Sequence, residues 1–151
     1  MEESLDLLAI IHKEFNCEPA EMDTYSPLTL AYIGDSVFDI IIKTLIVEQG
    51  NRSAEGLHKK VTKLVNAGTQ SAISDSLKEI LTEEEADIFR RGRNAKSYTT
   101  AKNASVTDYR RATGLEALTG YLYLTGRLDR AVFLIREGLI RCDLWQEEEH
   151  E

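Results

Sequence analysis

Two acidic residues, Asp35 and Glu116, are the side chains of this sequence whose surroundings best suit chemistry. Each stands in a run of mostly apolar residues that predicts a buried helix, and about 80 residues separate them. A carboxylate on such a helix is costly to desolvate unless hydrogen bonds or a cation stabilise it. If the two helices pack side by side, a divalent cation would relieve the repulsion between the acids. Oxygen ligands without histidine favour Mg²⁺, which binds through one or two carboxylates plus a substrate phosphate.

These residues alone leave two interpretations open. The first is a metal-dependent phosphodiesterase in which both acids point into one cleft. The second is a pair of acids at the wet edges of their helices, each with an ordinary ion pair. Asp39 follows Asp35 by four residues, and for it we favour an ion pair with Lys43, one helical turn further on.

The helix that carries Asp35 has clear start and stop signals. Ser26-Pro27 is typical of a helix start and Gly50 of a stop, so a helix is predicted from Ser26 to about Gln49. Its isoleucines, Ile40 among them, predict burial on most sides. Gly34 lies mid-helix, which indicates close approach of another backbone.

The whole chain is predicted to be all-α. It is also predicted to be one domain, 1–151, with a core at about 26–144 and an acidic tail at 145–151. Apolar periodicity and capping patterns predict the remaining helices at Ser4–Phe15, from Ser53 to about Leu81 with a kink or end at Ala67-Gly68, from Thr82 to about Arg91, from Ser105 to Gly126, and from about Asp129 to Leu144.

The net charge of −8 argues at first against a nucleic-acid partner, but the acids are concentrated at the two ends. Residues 26–144 carry 17 bases and 15 acids, and Arg90–Arg111 alone carries seven bases and one acid. Gly92–Ala104 is predicted to be a loop that contacts an RNA or DNA backbone, with a surface loop of no function as the alternative. A second basic face is interpreted as a solvated surface and consists of His58, Lys59, Lys60 and Lys63.

Several classes of protein are not expected. No run of 18 uncharged apolar residues predicts a membrane span, and the start of the chain is acidic rather than the basic start of a signal peptide. Cys17 and Cys142 form no disulfide framework and suit a reducing cytosol. The three histidines are isolated and give no zinc-binding spacing.

Two motifs carry a resemblance to a known family. Tyr32–Val37 (YIGDSV) resembles the signature of the ribonuclease III family, and Gly114–Leu124 (GLEALTGYLYL) resembles the second catalytic motif of that family. More narrowly, the chain resembles the Mini-ribonuclease III subgroup, which consists of the catalytic domain alone. The resemblance covers about Ser26–Leu139 and includes the segments Arg52–Ala54, Leu57-His58, Val65–Ala67, Arg91–Lys96 and Tyr109-Arg110.

This resemblance implies a homodimeric, all-α catalytic domain that hydrolyses double-stranded RNA. It implies that Asp35 and Glu116 are catalytic and hold Mg²⁺, for which Mn²⁺ can substitute, and that products carry 5′-phosphate and 3′-hydroxyl ends. Each subunit would cut one strand. Tyr32 matches an aromatic residue that enters a pocket of the partner subunit at the dimer interface, with a core tyrosine as the alternative.

The resemblance also implies a substrate, namely the precursor of 23S (large-subunit) ribosomal RNA, trimmed at its terminal stem in the cytoplasm. A large-subunit ribosomal protein bound to that RNA is implied as a helper. The charge clustering supplies the RNA-binding hypothesis, which assigns contacts to the phosphates to Arg91, Arg93, Lys96, Lys102 and Arg110.

Two positions depart from the larger family. Ala31 replaces a glutamate four residues before Asp35, and Thr113 replaces an aspartate three residues before Glu116. The subgroup has this reduced set, which leaves a second metal ion in doubt. The departures motivate an alternative, a non-catalytic ribonuclease III-fold module that binds double-stranded RNA. A third interpretation, a helical adaptor for other proteins, explains the acidic ends but not the paired motifs.

Overall fold

A computed structural model describes residues 6–95 and 105–146 of the chain. These residues form seven α-helices and one short 3₁₀-helix at Met22–Thr24, with no β-strand among them, so the all-α prediction is confirmed. The α-helices are α1 Leu7–Phe15, α2 Pro27–Glu48, α3 Ala54–Val65, α4 Ala67–Ser76, α5 Glu83–Asn94, α6 Val106–Leu124 and α7 Leu128–Arg141.

Capping side chains fix most helix starts where the sequence predicts them. The Ser26 hydroxyl accepts a hydrogen bond from the Thr29 backbone N–H (3.2 Å) at the start of α2. At the start of α5, both halves of a capping box are present between Thr82 and Glu85. The helix predicted from Ser53 to Leu81 is two helices, because Asn66 caps α4 by accepting from the Thr69 N–H at 2.8 Å.

Two predicted boundaries differ from the structure at the chain's start and before its basic loop. The first helix begins at Leu7 rather than Ser4, since the Asp6 carboxylate accepts from the Ala9 N–H (2.9 Å) and acts as its cap. The predicted loop from Gly92 is helical as far as Asn94, and residues 96–104 lie outside the described ranges.

Helix α6 lies at the centre of the molecule and packs against α2, α4, α5 and α7. Leu115, Leu118 and Leu122 of α6 are fully buried in this core. The prediction that α2 is buried on most sides is wrong, because Ile40 is 55% exposed. Helix α2 therefore lies at the edge of the molecule and leaves one of its apolar sides uncovered.

Two of the sequence-based exclusions can be compared with the structure. None of the helices in the described ranges has the length and apolar character that crossing a membrane requires. Cys17 and Cys142 are both free thiols, as their separation in the sequence predicts.

Candidate metal-binding active site

Helix α2 carries Asp35 at the boundary between its buried and its exposed side. Gly34 and Val37 beside it are buried, whereas the aspartate itself is exposed. The carboxylate therefore has access to water and to a substrate. Asp35 therefore lies at the wet edge of its helix and is not a deeply buried acid.

Helix α6 carries Glu116 between two fully buried neighbours, Leu115 and Ala117. Ser105 caps the start of this helix, and its hydroxyl accepts from the Asp108 N–H at 3.0 Å. Glu116 is only partly exposed, because it lies where the central helix comes to the surface. Its carboxylate is thus more withdrawn from water than that of Asp35.

Two glycines allow the backbones of α2 and α6 to touch at this point. A methyl group added at Gly34 would lie 1.7 Å from the Glu116 carbonyl oxygen, and one added at Gly120 would lie 2.0 Å from the Leu30 carbonyl oxygen. No side chain fits into such gaps, so only glycine permits this crossing. The close approach predicted from Gly34 is correct, and it brings the residue next to Asp35 against the backbone of Glu116.

The two carboxylates meet, and their proximity changes how they hold protons. Burial, in the first place, and then a hydrogen bond with Asp35 and the charge of that residue raise the pKa of Glu116 to about 9. At neutral pH the metal-free pair therefore keeps one proton. A cation can take the place of the proton that two acids share, because the proton and the cation both neutralise the repulsion between the carboxylates.

The donor set of this pair suits Mg²⁺. It consists of carboxylate oxygens alone, and Mg²⁺ binds through one or two carboxylates while keeping several waters or phosphate oxygens. In the described part of the chain, no group of three or more histidine, cysteine or acidic side chains is arranged to hold a metal ion. Asp35 and Glu116 would thus hold the ion with help from water and the substrate.

The other candidate acid and the two departures from the family pattern lie close to this pair without adding a ligand. Asp39 forms the predicted ion pair with Lys43 (2.8 Å). Ala31 and Thr113 are both buried, and the Thr113 hydroxyl donates to the Tyr109 carbonyl oxygen at 3.0 Å. At these two positions the chain therefore has buried side chains with no charge.

The basic residues predicted to bind RNA divide into two groups. A methyl group at Gly92 would lie 2.7 Å from the Ala117 Cβ atom, so Arg91 and Arg93 flank the point where α5 touches the helix that carries Glu116. Arg91 is exposed, and Arg93 is partly exposed and donates to the neighbouring Asn94 side chain at 3.2 Å.

Arg110 is also exposed, on α6 itself, six residues before Glu116, which is about 9 Å along a helix. Of the five predicted RNA-binding residues, two thus lie on the helix that packs against the segment carrying Glu116, and a third lies on the same helix as Glu116. Lys96 and Lys102 lie outside the described residues.

Tyr32 is 81% exposed, one turn before Asp35. The alternative that it is a core tyrosine is therefore wrong. Leu28 and Ile40 are exposed on the same helix, which gives α2 an apolar surface beside the acid pair.

Glu85 on α5 is a buried acid that the sequence did not indicate as one. Its carboxylate accepts from the Arg130 guanidinium at 2.8 and 2.9 Å, and from the Thr82 backbone N–H at 2.9 Å. The capping box was visible in the sequence, but its arginine partner lies 45 residues away on α7.

Comparisons with known proteins agree with this architecture. Residues 28–127 match the family model of the Ribonuclease III domain. The chain is similar to a Mini-ribonuclease 3 from a Thermoanaerobacter species (51% identity over 105 residues, 70% of this chain and 74% of that protein). It is also similar to a Mini-ribonuclease 3 from Clostridium tetani (46% identity, 73% of this chain and 74% of that protein).

Among solved structures, a crystal structure of a Fusobacterium nucleatum protein matches with a TM-score of 0.72 and 31% identity. The match covers 82% of this chain and 98% of that one.

Proposed function

We propose that this chain cleaves double-stranded RNA with Mg²⁺ held by Asp35 and Glu116. The premise is that the chain belongs to the ribonuclease III family and is an endoribonuclease of that family. The observation that carries this proposal is the backbone contact between Gly34 and Glu116, which brings Asp35 close enough to Glu116 to raise the pKa of that acid. They come from helices far apart in the sequence, and each lies in one of the two motifs that match the family. We also propose that the chain is a single domain with its core at about 26–144.

In the proposed reaction the side chains of the protein bind and orient the RNA. Asp35 and Glu116 would hold the ion once the proton on Glu116 is lost. When bound, Mg²⁺ supplies positive charge beside the scissile phosphate and promotes ionisation of the attacking water. Asp35, which is exposed, faces the side from which RNA arrives. Attack by water with departure of the 3′-oxygen leaves 5′-phosphate and 3′-hydroxyl ends.

Binding of the duplex is assigned to the cations around the acid pair. Arg91, Arg93 and Arg110 have charged groups at or near the surface on the two helices that meet beside Glu116. A-form RNA presents phosphates and 2′-hydroxyls rather than readable base edges, so such cations would bind it largely without regard to sequence. Lys96 and Lys102 are included in this proposal on the basis of the sequence.

A homodimer follows from the same proposal. A side chain as apolar and as exposed as that of Tyr32, with exposed Ile40 two turns away, favours a partner subunit as its cover. Two copies would bring two acid pairs to one duplex, so that each cuts one strand. We further propose the 23S ribosomal RNA precursor as the cytoplasmic substrate, with a large-subunit ribosomal protein as helper, and Mn²⁺ as a substitute for Mg²⁺.

One observation favours a second candidate, a non-catalytic module that binds double-stranded RNA. At the two positions where larger relatives have acids, Ala31 and Thr113 are buried and uncharged. A site with only two carboxylates could bind the duplex without cutting it.

One experiment separates the two candidates. The purified chain is incubated with duplex RNA in the presence of Mg²⁺, Mn²⁺ or a chelator, and the ends of the fragments are identified. The enzyme gives metal-dependent fragments with 5′-phosphates, and Asp35→Asn removes them while the variant keeps its oligomeric state. Duplex binding without cleavage at any metal concentration would favour the non-catalytic module.

A further inference from the structure

A concave site lies at the C-terminal end of α2, away from the acid pair. Its walls are the last turns of α2, Arg52 before α3, Lys60 in the middle of α3, and α7 with the residues that follow it, and its volume is about 1260 Å³. Glu48, in its wall, lies 13 residues beyond Asp35, which is about 20 Å along the helix. We call this site the distal cleft, and it shares no lining residue with the acid pair.

The distal cleft is cationic in a protein whose net charge is −8. Arg52, Lys60 and Arg136 line it, against two acids, Glu48 and Asp143. Arg136 contacts Glu137 on its own helix at 3.5 Å.

Arg52 and Lys60 differ from Lys59 of α3 in having no partner within the described ranges. Neither makes an ion pair or a hydrogen bond there. By contrast, the adjacent Lys59 pairs with Glu55 at 3.4 Å. Lys63 follows Lys60 by one turn on the same side of α3 and continues the positive surface. The basic face of α3, interpreted from the sequence as a solvated surface, therefore leads into a cleft.

An indole completes the lining. Trp145 packs against the hydrophobic core and also lines the distal cleft. An indole anchored in this way offers a rigid flat surface, and the bases of single-stranded RNA stack on such surfaces. The bases of a duplex are already stacked on one another, so an indole beside cations selects unpaired nucleotides.

The distal cleft is larger than a site for one small anion requires. Pockets for small molecules usually measure about 300–1,000 Å³, and the distal cleft exceeds that range. It has room for several linked nucleotides.

We propose that the distal cleft binds a single-stranded RNA segment that flanks the duplex, with its phosphates on Arg52, Lys60 and Arg136 and a base against Trp145. This proposal rests on the proposed function, since it supplies the unpaired part of the substrate that the acid pair cuts. The separation of about 20 Å corresponds to about six nucleotides at 3.4 Å each. Substrates with an unpaired extension of that length or more are therefore bound at two places, and blunt duplexes at one.

The first test uses the fact that Trp145 is the only tryptophan in the chain. Its fluorescence is followed in chelator, where cleavage is absent, during titration with a single-stranded oligonucleotide, a blunt duplex, a nucleoside monophosphate, inorganic phosphate or a peptide of glutamates. We expect the oligonucleotide to quench Trp145 at a lower concentration than any of the others. Arg52→Ala with Lys60→Ala should weaken this binding about tenfold and reduce the salt slope by about 1.4, which is 0.7 for each of two lost contacts.

The matched control is Lys59→Ala with Lys78→Ala, which changes the net charge equally. Both of these lysines form ion pairs away from the distal cleft, Lys78 with Asp75 at 2.8 Å. RNA binding seen by anisotropy without a change in Trp145 emission would overturn the proposal. Equal quenching by the nucleotide or the phosphate would overturn the proposal and indicate a small-anion site. Equal quenching by the peptide would overturn it and indicate a site for acidic proteins.

The second test measures cleavage of one duplex with and without a ten-nucleotide extension. We expect the extension to lower KM about tenfold in the wild type, to have no effect in the Arg52/Lys60 variant, and to leave kcat unchanged. Equal KM values for both substrates in the wild type would overturn the distal cleft proposal while cleavage still supports the proposed function. Quenching of Trp145 by RNA without any cleavage would support the distal cleft proposal and overturn the proposed cleavage of duplex RNA at the acid pair.

Discussion

Glu85 and Glu116 are acids of the same type on adjacent helices, and their surroundings are opposite. Glu85 is 2% exposed, and its hydrogen bonds with Arg130 are the main reason that its pKa lies below the ordinary value. Glu116 is partly buried and lies beside the like charge of Asp35, and these two effects raise its pKa to about 9. One acid thus lies beside the cation that it needs, and the other does not.

Under the proposed function, this difference separates a structural acid, Glu85, from a catalytic one, Glu116. The α5–α7 pair is complete within the chain, so it holds two helices together and offers nothing to a ligand. The α2–α6 pair is incomplete, so folding places two acids where only a proton or a cation can make them compatible.

Replacing Glu116 or Glu85 with glutamine should affect the cleavage activity very differently. Glu116→Gln should lower kcat/KM for duplex cleavage about a thousandfold or more, since a catalytic metal ion supplies several kcal/mol and each 1.4 kcal/mol is a factor of ten. Glu85→Gln should change it less than about threefold, because Glu85 binds Arg130 and not the ion. Both are measured well below the melting temperature with the same RNA. Equal losses in the two variants would contradict the distinction.

For the free energy of unfolding we expect the reverse order, in which loss of the Glu85–Arg130 pair is the more damaging change. Arg130→Met should lower the free energy of unfolding by about 3 kcal/mol, because it leaves Glu85 buried without its cation and the Ile80 carbonyl oxygen without its donor. Lys43→Met, which breaks the exposed pair with Asp39, should cost less than about 0.5 kcal/mol and is the matched control. Denaturant titrations measure both.

The lowered pKa of Glu85 also fixes the pH dependence of the Arg130→Met effect. An acid whose pKa falls on folding stabilises the protein above its ordinary value of 4.5, and this contribution is lost as the pH falls through the folded-state value. The difference between wild type and Arg130→Met should therefore shrink in acid. A difference that does not change with pH would assign the stabilisation to packing of the arginine rather than to its charge.

Glu116→Gln should stabilise the metal-free protein by about 1–2 kcal/mol at pH 8. The folded wild type holds a proton on this acid that the unfolded chain releases above pH 4.5, so wild-type stability declines as the pH rises from 4.5 to about 9. Below 4.5 the acid is protonated in both states and the advantage of the glutamine should vanish. Unfolding in chelator at pH 4.5 and pH 8, at one protein concentration, measures this. An equal advantage at both values would contradict the unfavourable meeting of the acids.

The acid pair was predictable from the sequence for a specific reason. Asp35 and Glu116 interrupt apolar helices, and Gly34 marks the close backbone approach that brings their helices together. These signals are local, because each depends on residues within a turn or two. The capping box at Thr82 was predictable on the same ground.

Other features depend on distant contacts that local patterns do not contain. The partner of Glu85 comes from 45 residues away. Apolar composition alone does not show which side of a helix is covered, so the exposure of Ile40 was missed. The segment around Gly92 has low helix propensity, and it is helical because that glycine fits closely against Ala117.

The contact between Gly34 and the backbone of Glu116 has a consequence for engineering. Because main-chain atoms already touch there, neither helix can move closer, and any larger residue would force them apart. Anyone wishing to adapt the protein to an ion of another radius must therefore alter the length of the acidic side chains, exchanging Asp for Glu or the reverse. The helices cannot shift to adjust the site, so under the proposed function the selectivity among ions would depend on side-chain length, which changes in steps of one methylene group.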